Sequence, residues 1–321
     1  MKKLVMGVTL AIMMVVSIPV GAVDLGDLDD SSVVDLKDAI LALQVVAGVA
    51  DVAVNKDGTL DKTVGLNEVI IILNSIGNPL ALSFTNTLGM TFNLIPAGTF
   101  TMGSPSTEPG RDSDETEHQV TLTKSYYIQT TEVTQGQWRD VMGSNPSYFS
   151  SCGDDCPVEQ VSWDDIQEFI TKMNQRGEGT YRLPTEAEWE RAARGGDVEQ
   201  TAFYNGGITN TSCDDPNLDQ IGWYCGNADS TTHPTAQKQA NAYGLYDMSG
   251  NVWEWCQDIH TSSLSGPVTD PLITSGGSGR VFRGGSWNYY ARYCRSADRD
   301  FSTPSFRYYD LGLRLCLSPG Q

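Results

Sequence analysis

Oxygen-bearing side chains recur at one spacing in two stretches near the N-terminus. Asp27, Asp29, Ser31 and Asp38 fall at positions 1, 3, 5 and 12 of one 12-residue loop, and Asp57, Thr59, Asp61 and Glu68 fall at the same positions of a second. Each loop runs into an apolar segment, AILALQVVAG and VIIILNSIG. A hard cation such as Ca²⁺ takes about six to eight oxygens from a loop closed by a helix-borne carboxylate, so this spacing suits calcium. Position 6, commonly Gly, is Ser32 in the first loop and Lys62 in the second. A helical hairpin with two polar turns and no ion has a similar pattern; the repetition favours calcium. Sulfur offers the other chemistry. The seven Cys are Cys152, Cys156, Cys213, Cys225, Cys256, Cys294 and Cys316, and an odd number leaves at least one thiol free or paired between chains. Cys152/Cys156 and Cys213/Cys225 are close enough in sequence to staple local loops, and Cys256 with Cys294 is the candidate third bridge. A four-cysteine zinc site competes, but CGDDC lacks the spacing of a zinc knuckle. The three His (His118, His233, His260) are far apart in sequence, so a His-rich zinc centre is not expected. Glu186, Glu188 and Glu190 could serve acid/base chemistry, but carboxylates two apart on a helix do not share a face.

The elements that must position these residues belong to a chain of 321 residues with 40 Asp and Glu against 21 Lys and Arg, a net charge of −19. That acidity excludes nucleic acid and anionic membrane surfaces as partners and fits an exported or cation-binding protein. With 32 Gly, 13 Tyr and 7 Trp, the composition is that of a folded, loop-rich protein of about two or three domains. Residues 1–22 pair Lys2 and Lys3 with an apolar run and small residues at Val20 and Ala22, the pattern of an export signal cleaved after Ala22. No other stretch is apolar enough to span a membrane, and a secreted, periplasmic or cell-surface location follows. Such a compartment is oxidising and permits disulfides. Residues 23–77 form a small helical module carrying the acidic loops, and 78–88 read as a linker.

From about Gly89 the texture changes to short strands, turns and a few helices. GMTFNLIPAGTFTMGS reads as two strands around Pro96, and Tyr126–Thr130 as another. Thr134 with Gln137 is a capping box opening a helix to about Met142. Ser162 caps a helix bearing Trp163, Ile166, Phe169, Ile170 and Met173 on one face, and Thr185 with Glu188 caps a third. Residues 195–245 are a long irregular stretch. Val252–Cys256, Arg280–Arg283 and Leu311–Leu317 return to strands, giving an α+β domain of low regular content.

Residues 23–77 resemble the duplicated calcium loops of dockerin modules, which implies an EF-hand-like module with a docking partner. FTMGS, EVTQGQW, PVEQVSWDD, RLPTEAEWERAARGG, NAYGLYDMSGNVWEW, RGGSW and LGLR appear in order over 89–317. Together they resemble the formylglycine-generating enzyme (sulfatase-modifying factor) family, whose fold is C-type-lectin-like. The family's oxidase holds copper with two Cys; the matching positions here are Tyr289 and Cys294. Ser286 and Trp253 match, while Tyr290 stands for a His and Asp310 for an Asn. Because Cu(I) wants soft sulfur and a phenol is hard, neither copper nor oxidase activity is expected. The resemblance also implies a calcium ion held by the side chains of Asp247 and Glu254 and the carbonyls of Gly250 and Val252.

Residues 283–316 interrupt an Arg- and Gly-rich frame with Asn288, Tyr289, Tyr290, Tyr293, Asp298, Asp300, Phe301, Ser302, Ser305, Phe306, Tyr308, Tyr309 and Asp310. All are Asn, Tyr, Asp, Ser or Phe, reachable from an Asn codon by changing adenines alone. The segment resembles the variable region of diversity-generating retroelement target proteins. That implies a contact surface for a protein or surface ligand, with Tyr as rigid anchors and Ser, Asn and Asp as adaptable partners, the chemistry of antibody paratopes. The expectations are that the seven aromatics of the set form one exposed patch and that frame arginines pair with Asp298, Asp300 and Asp310.

Overall fold

The computed structural model describes residues 83–196, 200–262 and 266–318. The chain divides after Ile76, and every described residue lies in the second unit, Gly77–Gln321. The acidic loops and the leader therefore lie outside the described residues.

Three sheets and three longer helices build a mixed α+β, sheet-dominated fold. Strands β1 (Ser83–Thr85), β2 (Thr91–Ile95), β5 (Tyr126–Gln129), β12 (Cys316–Leu317) and β6 (Tyr181–Arg182) make a five-stranded antiparallel sheet in that order. Strands β10 (Arg299–Ser302), β9 (Arg280–Arg283), β7 (Trp253–Ile259) and β11 (Leu311–Gly312) make the second, with β11 parallel to β7. Strands β3 (Gly98–Met102), β4 (His118–Leu122) and β8 (Val268–Thr269) make the third. The two strands read around Pro96 are β2 and β3, but they go to different sheets because β2 pairs with β1 and β5 while β3 pairs with β4. The single strand read at Leu311–Leu317 is broken in two, because the chain crosses there from one sheet to another. The fully buried Arg314 spans the gap, donating to Glu254 and to the carbonyls of Gln129 and Tyr246.

Helices start where the sequence places their caps. In α1 (Gln135–Met142) and α3 (Glu186–Arg194), Thr134 with Gln137 and Thr185 with Glu188 form reciprocal capping boxes, and left-handed Gly143 and Gly195 end the helices. In α2 (Trp163–Gln175) the box pairs Ser162 with Asp165, and Ile166, Phe169, Ile170 and Met173 are buried at helical spacing. The Phe169 ring stacks on Trp138 of α1 at 4.8 Å, within a core that also holds Phe92, Tyr181, Trp255 and Leu313. A second core gathers Ile95, Val120, Ile128, Trp189 and Val281 around α3, and a third holds Phe203, Leu218, Ile221, Tyr224, Ala291 and Cys294. The last belongs to the irregular 200–228 stretch, which carries only a four-residue helix, α4 (Leu218–Ile221).

Disulfides Cys152–Cys156 and Cys213–Cys225 form as the sequence spacing suggests. The expected Cys256–Cys294 bridge does not. Cys256 is buried in the second core and Cys294 in the third, and with Cys316 they are free thiols.

Candidate functional site

Residues 283–316 leave β9 through the Gly284–Gly285 turn. Both glycines have left-handed φ, and a Cβ on Gly285 would fall 2.5 Å from the Cys294 sulfur, so only glycine lets the turn lie on that residue. The chain then makes a short 3₁₀ turn (Ala291–Cys294), pairs β10 back on β9, and loops through 303–310 into β11. Its backbone is held by the rest of the domain. Cys225 N–H donates to the Tyr289 carbonyl (3.1 Å), Ala291 N–H to Ser212 (2.9 Å), Ser296 N–H to Ala202 (2.8 Å) and Gln160 N–H to Tyr308 (2.9 Å).

Frame arginines anchor it to carboxylates outside the segment. Arg299 donates to both oxygens of Glu186 (2.6 and 2.7 Å), Arg295 to both of Glu115 (2.6 and 2.7 Å), and Arg314 to Glu254. The fully buried Arg283 donates to Glu190 and to the Asp298 carbonyl. Arg307 forks onto Asp165 (2.6 and 2.7 Å), the residue that also completes the capping box of α2. Of the expected pairs with acids inside the segment, Arg295–Asp298 is present at 3.3 Å. Asp300 and Asp310 make no ion pair among the described residues.

This bracing turns side chains outward. Tyr290 is 52% exposed, and Phe301, Phe306 and Tyr308 are exposed too, with Asp300 and Ser305; Tyr289, Tyr293, Tyr309, Asn288 and Ser302 are half-buried. Asp298 is buried beside Arg295 and is not part of this surface, and Asp310 lies beneath it. Ring contacts divide the seven aromatics into groups instead of one patch. Phe306 stacks on Tyr308, which meets Tyr309; Tyr289 bridges Trp253 and Tyr293, each at 5.3 Å; Phe301 stacks on His260 at 3.8 Å. Two residues outside the segment join the first group: Tyr148 and Phe149 both contact Tyr309, and Phe149 meets Trp287 edge-on at 5.3 Å. Tyr148 is 69% exposed, the most open large apolar side chain described. The available signal was an adjacent Tyr-Phe pair just after Pro146 in a loop.

Beneath the rings, Ser286 Oγ lies 2.8 Å from both Asn288 Oδ1 and Asp310 Oδ2. Burial raises Asp310 to about 6, and it raises Tyr289 to about 12 with Asp310 adding to the effect. Both oxygens of buried Glu159 accept backbone N–H groups, from Tyr148 (2.9 Å) and Phe149 (2.7 Å), and so set the loop that presents these rings. Cys294 is fully buried and its thiol is pushed up by burial. One buried thiol, with a phenol at the matching second position, does not supply the two soft sulfurs of a copper site.

The implied calcium residues stand at the start of β7. Asp247, Gly250 and Asn251 have left-handed φ. Glu254 is committed to Arg314 and to Trp189 Nε1 (2.7 Å). Asp247 accepts from Ala236 N–H (2.7 Å) through Oδ2, while its buried Oδ1 has no donor among the described residues. Both oxygens of fully buried Glu132, which sequence reasoning missed, also lack a donor among the described residues and face the Asp247 carboxyl. Burial pushes both carboxyls up, Asp247 to about 6, and the Asp247 charge adds to the rise at Glu132. Orphaned hard oxygens of this kind fit a divalent cation.

Comparison with known proteins matches this fold. The profile of the sulfatase-modifying factor enzyme 1-like domain covers residues 83–319. Treponema denticola variable protein 1 superposes with a TM-score of 0.65 at 32% identity, covering 75% of this chain and all of that one. PvdO from Pseudomonas aeruginosa gives the same TM-score at 25% identity, covering 74% of this chain and 98% of that one. The formylglycine-generating enzyme of Streptomyces coelicolor is 34% identical over 167 residues, 49% of this chain and 51% of that protein, so the chain spans about half the length of that enzyme. The chaperone protein LppX of Paenibacillus barcinonensis is 33% identical over 225 residues, 54% of this chain and 73% of that protein. With the family profile spanning most of its length and the C-type-lectin-like architecture in place, the chain belongs to the sulfatase-modifying factor enzyme 1-like domain family.

Proposed function

We propose that this protein is an exported ligand-binding protein whose family scaffold presents a diversified surface of Tyr, Phe, Asn, Asp and Ser from residues 288–310. One observation carries the reading. Frame residues Arg283, Arg295 and Arg314 are fully buried and bonded to the scaffold, and Arg299 and the exposed Arg307 are held by Glu186 and Asp165, whereas Tyr290, Phe301, Phe306 and Tyr308 project into solvent. Structure and contact are thus assigned to different residues, as a surface that changes its side chains requires. The likeness to a Treponema protein titled a variable protein supports the same reading. The test needs no known ligand. A displayed library randomised at Asn288, Tyr290, Phe301, Ser302, Ser305, Phe306 and Tyr308 is scored for protease resistance. Most members are expected to stay folded; widespread unfolding would show that the face is structural and overturn the proposal.

Calcium is a second part of the proposal. Glu132 and Asp247, with the carbonyls of Gly250 and Val252, would hold one ion, and its role is structural, tying α1's entry to the start of β7. Adding calcium to chelator-stripped protein is expected to raise the melting temperature, because a ligand of the native state stabilises it by mass action. Asp247→Asn and Glu132→Gln should abolish most of that rise; an unchanged rise in both variants would remove the site. The paired acidic loops at Asp27–Asp38 and Asp57–Glu68 are proposed to take calcium too, in a module that docks a partner. Calcium uptake that survives Asp247→Asn but is lost in Asp57→Asn belongs to them.

A further inference from the structure

We infer that the centre of this face receives a basic side chain of a partner protein, its ammonium or guanidinium lying against the Tyr148, Tyr309 and Trp287 rings with Asp310 and Glu159 behind it. The inference rests on the binding-surface reading and names the chemistry that the surface accepts. Its first support is a pair of buried carboxyls with no cation beside them. Asp310 is 2% exposed and Glu159 is fully buried. Burying a carboxylate is expensive unless a cation pairs with it. Other buried carboxylates of the domain have such a cation: Glu115 has Arg295, Glu186 has Arg299, Glu190 has Arg194 and Glu254 has Arg314. Among the described residues no Lys or Arg pairs with Asp310 or Glu159. Their partners are Ser286 Oγ and the backbone N–H groups of Tyr148 and Phe149. The two carboxyls also sense each other, since the Asp310 charge adds to the burial that pushes Glu159 to about 7.

The second support is the ring cluster over them. Tyr309 lies 5.6 Å from Trp287 and 5.8 Å from Tyr148, and the Asn288 amide links the Tyr309 hydroxyl to Ser286. Indole and phenol faces attract cations, more strongly as water is excluded. The chain's own nearby cations do not fill the role. Arg307 is held by Asp165, and Arg292 lies over the Tyr293 ring at 4.3 Å. At longer range a net charge of −19 draws a basic partner inward.

The test compares two probes on the full-length protein: a short peptide carrying two lysines, and the same peptide with both lysines Nε-acetylated. The lysine peptide is expected to bind about tenfold more tightly, and Tyr148→Ala and Asp310→Asn should each remove most of that preference. Tyr148 is so exposed that its loss leaves the fold intact, which keeps the test decisive if Asp310→Asn is unstable. A preference that persists in both variants would mean diffuse surface charge and would sink the inference. Equal binding of the two peptides, weakened in Tyr148→Ala, would also sink it while leaving the binding surface standing. Failure of both peptides to bind overturns it as well, and the library's folding result then judges the wider reading separately.

Discussion

Arg295 is fully buried and faces three carboxylates, Glu115, Glu108 at 2.8 Å and Asp298 at 3.3 Å. One guanidinium cannot neutralise all three. Glu115, which takes it through both oxygens, is held below its ordinary value against the opposing effect of burial. Burial wins at Glu108 and at Asp298, which are both raised. Removing the arginine leaves the buried acids with no cation. Arg295→Met is therefore expected to lose about 3–5 kcal/mol in chemical denaturation. A loss below about 1 kcal/mol would show that the cluster was already neutral. Of the three acids only Asp298 was legible in the sequence. Arg295 stands beside Cys294 in an unremarkable string, and Glu108 and Glu115 lie 187 and 180 residues away. The sequence pattern suggested acids of the same segment as partners, because only local pairs can be read from spacing.

The helix starts were legible for the opposite reason: a capping box closes within four residues, and no distant contact can alter which side chain reaches which N–H. Thr185 is the clearest case, since its partner Glu188 also holds Arg182 through both oxygens. Thr185→Ala should cost about 1 kcal/mol, read as a lower melting temperature; no change would mean that the Glu188–Arg182 pair alone sets the turn. The 200–228 loop is another element with a local staple. Cys213–Cys225 closes a short loop, and the Cys225 N–H holds the Tyr289 carbonyl. Replacing both cysteines by serine is expected to remove about 3 kcal/mol and to free the backbone under Tyr289 and Tyr290. Faster exchange of the amide at position 225 would register that release, and unchanged exchange would show that the third core holds the loop without the disulfide. The Cys256–Cys294 expectation failed because sequence distance says nothing about which core a cysteine joins. The single strand expected at Leu311–Leu317 failed because a periodic pattern cannot show a chain changing sheets.

Across the whole molecule the buried acids fall into two sets with opposite pH behaviour. Glu115 and Glu186 are paired with arginines and titrate below their ordinary value. Their contribution is present above about pH 4.5 and is lost as pH falls through the lowered folded values. Glu159 and Asp258 have no cation partner, and burial pushes each to about 7; Glu186 adds to the rise at Asp258. For them the folded state keeps a proton that the unfolded chain releases near pH 4, so stability is full below that point and is lost as pH rises toward 7. Each is worth on the order of 1–3 kcal/mol at the alkaline end. The 40 acidic residues push the same way, because self-repulsion grows as they ionise. Stability should therefore peak near pH 5 and fall on both sides. Thermal melts at pH 3, 5 and 8 in chelator check this without interference from calcium. A melting temperature that climbed steadily to pH 8 would mean that Glu159 and Asp258 ionise without penalty. In that case the loop bearing Tyr148 and Phe149 would rest on an ordinary carboxylate, and the uncompensated burial of acid beneath the aromatic face would lose half of its basis.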